Sequence, residues 1–138
     1  MKTLKNIETI KDKYLSDLNL KLFSLVRNHG SLNEYNGHAK ITGECGDTME
    51  YWLLIRDGKI EHVSFVTDGC GYSQACGSMA ASMIEGVEVQ EAATLEQQEI
   101  LDLLPGLPPD HEHCARLAAK TIKAACRSYE ECQKEAAK

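Results

Sequence analysis

Residues 48–67, TMEYWLLIRDGKIEHVSFVT, decide the fold. In TMEYWLLIR the side chains of Met49, Tyr51, Leu53 and Ile55 share one side of an extended chain and Thr48 and Glu50 take the other, because successive strand residues point to opposite faces. Asp57-Gly58 follows at once, the pair that best tolerates the backbone of a two-residue hairpin turn. KIEHVSFVT returns as the partner strand. Upstream, HAKIT alternates in the same way, so the pattern predicts three neighbouring strands in one antiparallel sheet.

Outward from the sheet the pattern turns helical. Between Leu4 and Val26 the apolar residues Ile7, Ile10, Tyr14, Leu18, Leu22 and Leu25 recur at three and four, which predicts an amphipathic N-terminal helix within residues 1–28. RNHGSLNEYNG (27–37), with Gly30 and the turn pair Asn36-Gly37, reads as an ordered loop into the first strand. After Gly69, SQACGSMAASMIEG (73–86) has Ser73 as an N-cap and Gly86 as a stop, and its small residues let the backbone come close to the sheet. TLEQQEILDLL (94–104) opens with a capping-box pair, Thr94 and Gln97. The last helix starts near Asp110, after Pro108-Pro109, and carries Leu117, Thr121 and Ala125 on the side of Cys114, while residues 133–138 are expected to fray. Strands first and helices after is the α+β pattern. The expectation is one domain over 1–138: a three-stranded antiparallel sheet with an N-terminal helix and a group of C-terminal helices packed beside it.

Composition narrows the function. A chain of 138 residues buries roughly two thirds of its unfolded surface without covalent staples. The formal charge of −6, with basic residues scattered among acids, argues against a nucleic-acid partner. The first 25 residues mix charge into every turn, so neither a signal peptide nor a membrane span is read there and the expected compartment is the cytoplasm. In a reducing compartment the six cysteines stay free thiols, which bind metal or do chemistry more often than they form a disulfide framework.

Position sorts those cysteines. Cys45 lies in GECGD, the glycine-bounded turn between the first two strands, Cys70 lies in DGCG where the third strand gives way to a helix, and Cys114 sits in the first turn of the last helix. Each projects from the end of a regular element, where glycine leaves room for the chain to turn and for a ligand. The positive end of a helix should depress the pKa of Cys114 and raise its thiolate fraction. Asp47, two residues beyond Cys45, shares its side of an extended segment, and His113 adjoins Cys114, so each can add an oxygen or nitrogen ligand. The candidate metal-ligating set is Cys45, Asp47, Cys70, His113 and Cys114. No C-x-x-C knuckle accompanies it. Cys76, about one turn into the small-residue helix, can either approach this set or serve packing. Cys126 reads as core, Cys132 as an exposed thiol near the chain end, and His29, His38 and His62 as surface or core residues. Trp52 and Phe65 read as packing.

Three segments in order, TGECGDTM (42–49), TDGCGYSQACGSM (67–79) and LPPDHEHCARLA (107–118), resemble the C-G-D-x-M, G-C-G and L-P-P-x-x-x-H-C segments of the NifU and IscU type of iron-sulfur cluster assembly scaffold. RNHGSL (27–32) is similar to the family's N-R-N-x-G region, so the resemblance covers about Arg27 to Ala125. It implies the same α+β fold and a scaffold or carrier rather than an enzyme. Cys45, Cys70 and Cys114 would be the cluster cysteines, Asp47 the acid that keeps the cluster labile, and His113 an auxiliary ligand for iron or zinc. The implied cargo is a [2Fe-2S] cluster, and the implied partners are a cysteine desulfurase and acceptor apo-proteins, with no nucleic acid and no membrane.

Two departures stand out. Many relatives carry a lysine three residues before the last cysteine, in the segment a chaperone grips; His111 stands there, which argues against a dedicated Hsp70-type chaperone and adds a candidate ligand. Cys76 stands where bacterial scaffolds often have serine. The alternative reading is a zinc-bound sulfurtransfer protein, with zinc on Cys45, Asp47, Cys70 and Cys114 and one thiolate accepting persulfide sulfur from the desulfurase. His113 and the lack of an insertion after the Cys70 helix favour the scaffold. A zinc hydrolase or deaminase would need an H-x-E plus P-C-x-x-C pattern, and neither half occurs.

Overall fold

The hairpin anticipated at Asp57-Gly58 is present, with both residues at positive φ, 53° and 77°, the backbone that matches the natural twist of the strands it joins. The structure, a computed structural model, describes residues 30–136; the N-terminal helix expected within 1–28 lies outside the described residues. Strands β1 (Gly37–Thr42), β2 (Thr48–Arg56) and β3 (Lys59–Thr67) form one antiparallel sheet in the order β1-β2-β3. Met49, Tyr51, Leu53 and Ile55 are buried on one face, opposite Thr67, Phe65, Val63 and Ile60 of β3.

That register contains a step the alternation does not announce. Leu54 faces His62 but Ile55 faces Ile60, leaving Glu61 as the extra residue of a bulge. A bulge changes which parity points inward. Ile60 therefore joins the core and the Glu61 carboxylate stays in solvent. At the other edge Asn36 extends the sheet with its side chain, accepting from Ile55 N at 2.8 Å and donating to Ile55 O at 2.8 Å. It pairs a strand end that a turn residue would leave open.

Helices α1 (Gly71–Ile84), α2 (Val89–Ala92), α3 (Gln97–Asp102) and α4 (Glu112–Ala136) follow, with a 3-10 turn at Pro109–His111. Helix α1 lies between β3 and α4 and is buried on nearly every side, which its small residues permit. Gly77 passes so close to the sheet that a Cβ there would come within 2.5 Å of the Phe65 ring. Tyr51 uses the same close approach, donating its hydroxyl to Gly77 O at 2.7 Å. Gly86 ends the helix at φ 84 and donates to Ile60 O at 2.7 Å, tying the helix end back to β3. Among the described residues no helix is long and apolar enough to cross a membrane.

Three helix boundaries differ from the sequence expectation. Helix α1 begins at Gly71, with Cys70 rather than Ser73 at the N-cap and no side-chain cap bond. The capping box of α3 is Glu96 with Glu99, not Thr94 with Gln97; the Thr94 hydroxyl instead donates to Glu91 O at 2.7 Å, closing the turn after α2. Helix α4 starts after the 3-10 turn, at Glu112 rather than near Asp110, and runs to Ala136. Its buried stripe includes Leu117, Thr121, Ile122, Ala125 and Cys126, which pack it along β1, β2 and α1. Its first turn thereby reaches the end of the sheet that carries the β1–β2 loop.

Candidate metal centre

Three chain segments converge at that end. In the β1–β2 loop Gly43 N donates to Asp47 O at 2.8 Å and Gly46, at φ 93, donates to Gly43 O at 3.0 Å, a turn that lifts the Cys45 side chain into solvent and leaves Asp47 half-buried. The β3–α1 junction is locked against this loop: Thr48 N donates to Asp68 Oδ1 at 2.7 Å, and the Thr67 hydroxyl donates to Thr48 O at 2.7 Å while accepting from Gly69 N at 3.1 Å. Asp68 is thus a structural clip. A Cβ on Gly69 would lie 2.4 Å from Ser73 Oγ and 2.9 Å from Asp47 Oδ2, so only glycine lets the junction pass this close to the Asp47 carboxylate. The third segment is the Pro108-Pro109 turn, which sets His111 ahead of His113 and Cys114.

The donors form two groups of three. The ligand atoms of Cys70, His111 and Cys114 all lie within 4.8 Å of one another, and so do those of Cys45, Asp47 and His113. The groups are contiguous. His113 Nε2 lies 3.7 Å from Cys114 Sγ, and the buried Ser73 hydroxyl donates to Asp47 Oδ2 at 3.2 Å while lying 3.2 Å from Cys114 Sγ. Cys45 and Cys70 are exposed and Cys114 is buried. Beside Cys45 and His113 opens a cleft of about 370 Å³ whose wall carries the cations Arg116 and Lys120, in a chain of net charge −6.

The acidity of Cys114 is opposite to the sequence expectation. Burial pushes its thiol up to about 11, the Ser73 hydrogen bond pulls it partly back, and the facing Cys70, Asp47 and Cys45 push it up again. The partial charge at a helix end falls off within a turn, and here it does not offset removal of a thiolate from water among other anionic donors. Cys114 in the metal-free chain is therefore a protonated thiol, which gives up its proton when a metal binds. Cys76 is fully buried within α1, and its thiol is pushed up first by burial and then by Cys114 and Cys70, so it fills core space close to the site. Cys126 is likewise core, pushed up to about 12 by burial and by Glu130. Cys132 is exposed.

All five residues of the candidate set read from the sequence, Cys45, Asp47, Cys70, His113 and Cys114, lie in these two groups. Two further side chains join them. His111 completes the Cys70 and Cys114 group; its only signal in the sequence is its departure from the relatives' lysine. Ser73 links the groups, and its position near a helix start disguises it as a cap.

Comparison with known proteins places the chain among relatives. The profile described as the NifU-like N terminal domain matches residues 15–136. An iron-sulfur cluster assembly scaffold protein IscU of Archaeoglobus fulgidus is 32% identical over 108 residues, covering 78% of this chain and 71% of that protein. The corresponding scaffold protein IscU of Aquifex aeolicus is 36% identical over 106 residues, covering 75% of this chain and 68% of its own. The crystal structure of the N-terminal part of a nitrogen-fixing NifU-like protein from Brucella abortus superposes with a TM-score of 0.67 over 88% of this chain and 98% of that one; at 16% identity this shows a shared fold.

Proposed function

The chain belongs to the NifU-like N-terminal domain family, and from that premise we propose that it is a scaffold on which a [2Fe-2S] cluster is assembled, with sulfur from a cysteine desulfurase, and from which the cluster passes to acceptor apo-proteins. The supporting observation is the donor set itself: thiols from three separate segments around one mouth, with a single carboxylate, Asp47, among them. Iron-sulfur clusters are normally held by four thiolates. A carboxylate oxygen is a poorer match to soft, sulfur-bridged iron, so the Asp47 corner is the one at which an acceptor thiolate displaces the scaffold. Exposure divides the labour. Cys45 and Cys70 face solvent, where a sulfur donor or an acceptor reaches them, and the buried Cys114 anchors the cargo on the long helix α4. On this reading the protein is a carrier and not an enzyme, and the histidine at position 111 argues against a dedicated chaperone.

A second reading is supported by the mixed sulfur and oxygen donors Cys45, Asp47, Cys70 and Cys114, a set that suits tetrahedral zinc. In that case zinc resides in the site and a thiolate accepts persulfide sulfur from the desulfurase. Anaerobic incubation with ferrous iron and sulfide, followed by visible absorption, separates the two. A coloured cluster that transfers to an acceptor supports the scaffold; a colourless protein that retains zinc and activates a desulfurase supports the alternative.

A further inference from the structure

We propose that Cys70, His111 and Cys114 form a binding site for a single divalent transition-metal ion, with His111 as a direct ligand, that draws on neither Cys45 nor Asp47. The geometry suits one ion. A tetrahedral centre with metal–sulfur bonds near 2.3 Å and metal–nitrogen bonds near 2.0–2.1 Å holds its sulfur and nitrogen ligands about 3.6 Å apart. Cys70 Sγ and His111 Nδ1 are 3.8 Å apart, and Cys114 Sγ lies within the same 4.8 Å triangle. Two sulfurs and an imidazole select zinc, cobalt or ferrous iron over the oxygen-seeking magnesium and calcium. Three protein ligands leave a fourth position open.

His111 is held where it is by local structure. Pro108 and Pro109 fix the approach to the 3-10 turn, His111 N donates to Pro108 O at 2.9 Å, and the ring packs against Tyr72 with centroids 4.4 Å apart. The neighbouring His113 serves the other group, with Cys45 and Asp47. The two histidines therefore belong to different triads although only one residue separates them. For the scaffold the consequence is an order of loading, a part of the inference that rests on the function proposed above. A metal ion held on Cys70, His111 and Cys114 leaves the exposed Cys45 thiol and the Asp47 corner free, so metal can arrive before sulfur without closing the sulfur-accepting side.

The test is an anaerobic titration of the reduced, metal-free full chain with cobalt(II) and no sulfide, read by ligand-field bands and by thiolate-to-cobalt charge transfer. The expected result is one tightly held cobalt with a tetrahedral spectrum and two thiolates, kept in Cys45→Ala. His111→Ala and His111→Lys each weaken it by about 100-fold or more, the upper range seen when even outer-shell partners of a metal site are lost. An unchanged affinity and spectrum in both His111 variants, loss of the tight ion in Cys45→Ala, or no cobalt binding by the parent chain would each overturn the site. Circular dichroism on the same samples verifies that the variants are folded. Iron and sulfide reconstitution, run in parallel, keeps the two ideas apart: a normal cluster without a cobalt site sinks only this inference, and a cobalt site without a cluster sinks only the scaffold.

Discussion

Ser73 donates its hydroxyl proton to Asp47 across 3.2 Å, joining the first turn of α1 to the β1–β2 loop. The same oxygen lies 3.2 Å from Cys114 Sγ, so one buried hydroxyl spans both donor groups. Either atom of that second contact can be the donor; turned toward the sulfur, the hydroxyl stabilises the thiolate form of Cys114.

Ser73→Ala removes both bonds while keeping a good helix former. The Asp47 carboxylate is half-buried and regains water, so the stability cost is modest, about 1 kcal/mol. The sharper effect is on the thiol: among the described residues Ser73 is the neighbour that lowers the Cys114 pKa, so its removal shifts Cys114 further up. Ultraviolet thiolate absorption during alkaline titration, compared with a Cys114→Ala control, measures that shift. A downward shift would show that the bond favours the thiol form.

Single replacements of Cys45, Cys70 or Cys114 by alanine are expected to abolish a stable cluster after iron and sulfide reconstitution, because each removes one of three thiolates drawn from separate segments. Cys132→Ser, at an exposed position near the end of α4, should reconstitute like the parent chain. Visible absorption per protein is the measurement. A cluster lost in Cys132→Ser would mean that a thiol outside the two triads takes part.

Alkaline pH should destabilise the metal-free chain. Burial raises Cys114 to about 11 and Cys126 to about 12 from a reference of 9.0. Above the reference value the unfolded chain has shed thiol protons that the native chain still holds, so unfolding releases protons and stability falls as pH rises. Each such thiol contributes a slope on the order of 1 kcal/mol per pH unit between its two pKa values. Denaturant unfolding at a series of pH values from neutral upward should show that decline, shallower in Cys126→Ala. Equal slopes in the two proteins would contradict the assignment of Cys126.

Two glycines separate the site from the fold. Gly77→Ala drives a Cβ to 2.5 Å from the Phe65 ring and should cost about 1–3 kcal/mol in thermal or denaturant unfolding, as overpacking does. Gly69→Ala meets Ser73 and Asp47 instead, so it should impair cluster reconstitution more than stability. Reversed sensitivities would mean that the β3–α1 junction is not what positions Asp47.

These residues also mark how far sequence alone reaches. The bounds of β2 and β3 follow from alternation and from Asp57-Gly58, because strand parity and a two-residue turn are local properties. The Glu61 bulge escapes that reading, since it appears only when Ile60 must reach a core built by α1 and α4. Ser73 is misread as a cap for a similar reason: the helix starts at Gly71, where the close approach of Gly69 to Asp47 fixes the chain. In the sequence, the acidity of Cys114 rests on a helix terminus, a neighbourhood of one turn. Burial under segments far away in sequence, together with Cys70, Asp47 and Cys45, reverses it. The candidate donors were legible because glycines and element ends announce them; their division into two triads is a property of the folded chain.

The most direct test of the account is the rate at which a reconstituted [2Fe-2S] cluster leaves the parent chain and the Asp47→Ala variant for an acceptor apo-protein, followed by the change in visible circular dichroism. If the carboxylate is the exchangeable corner, the variant transfers more slowly and its cluster-loaded form lives longer. Equal transfer rates in the two proteins would contradict that role for Asp47.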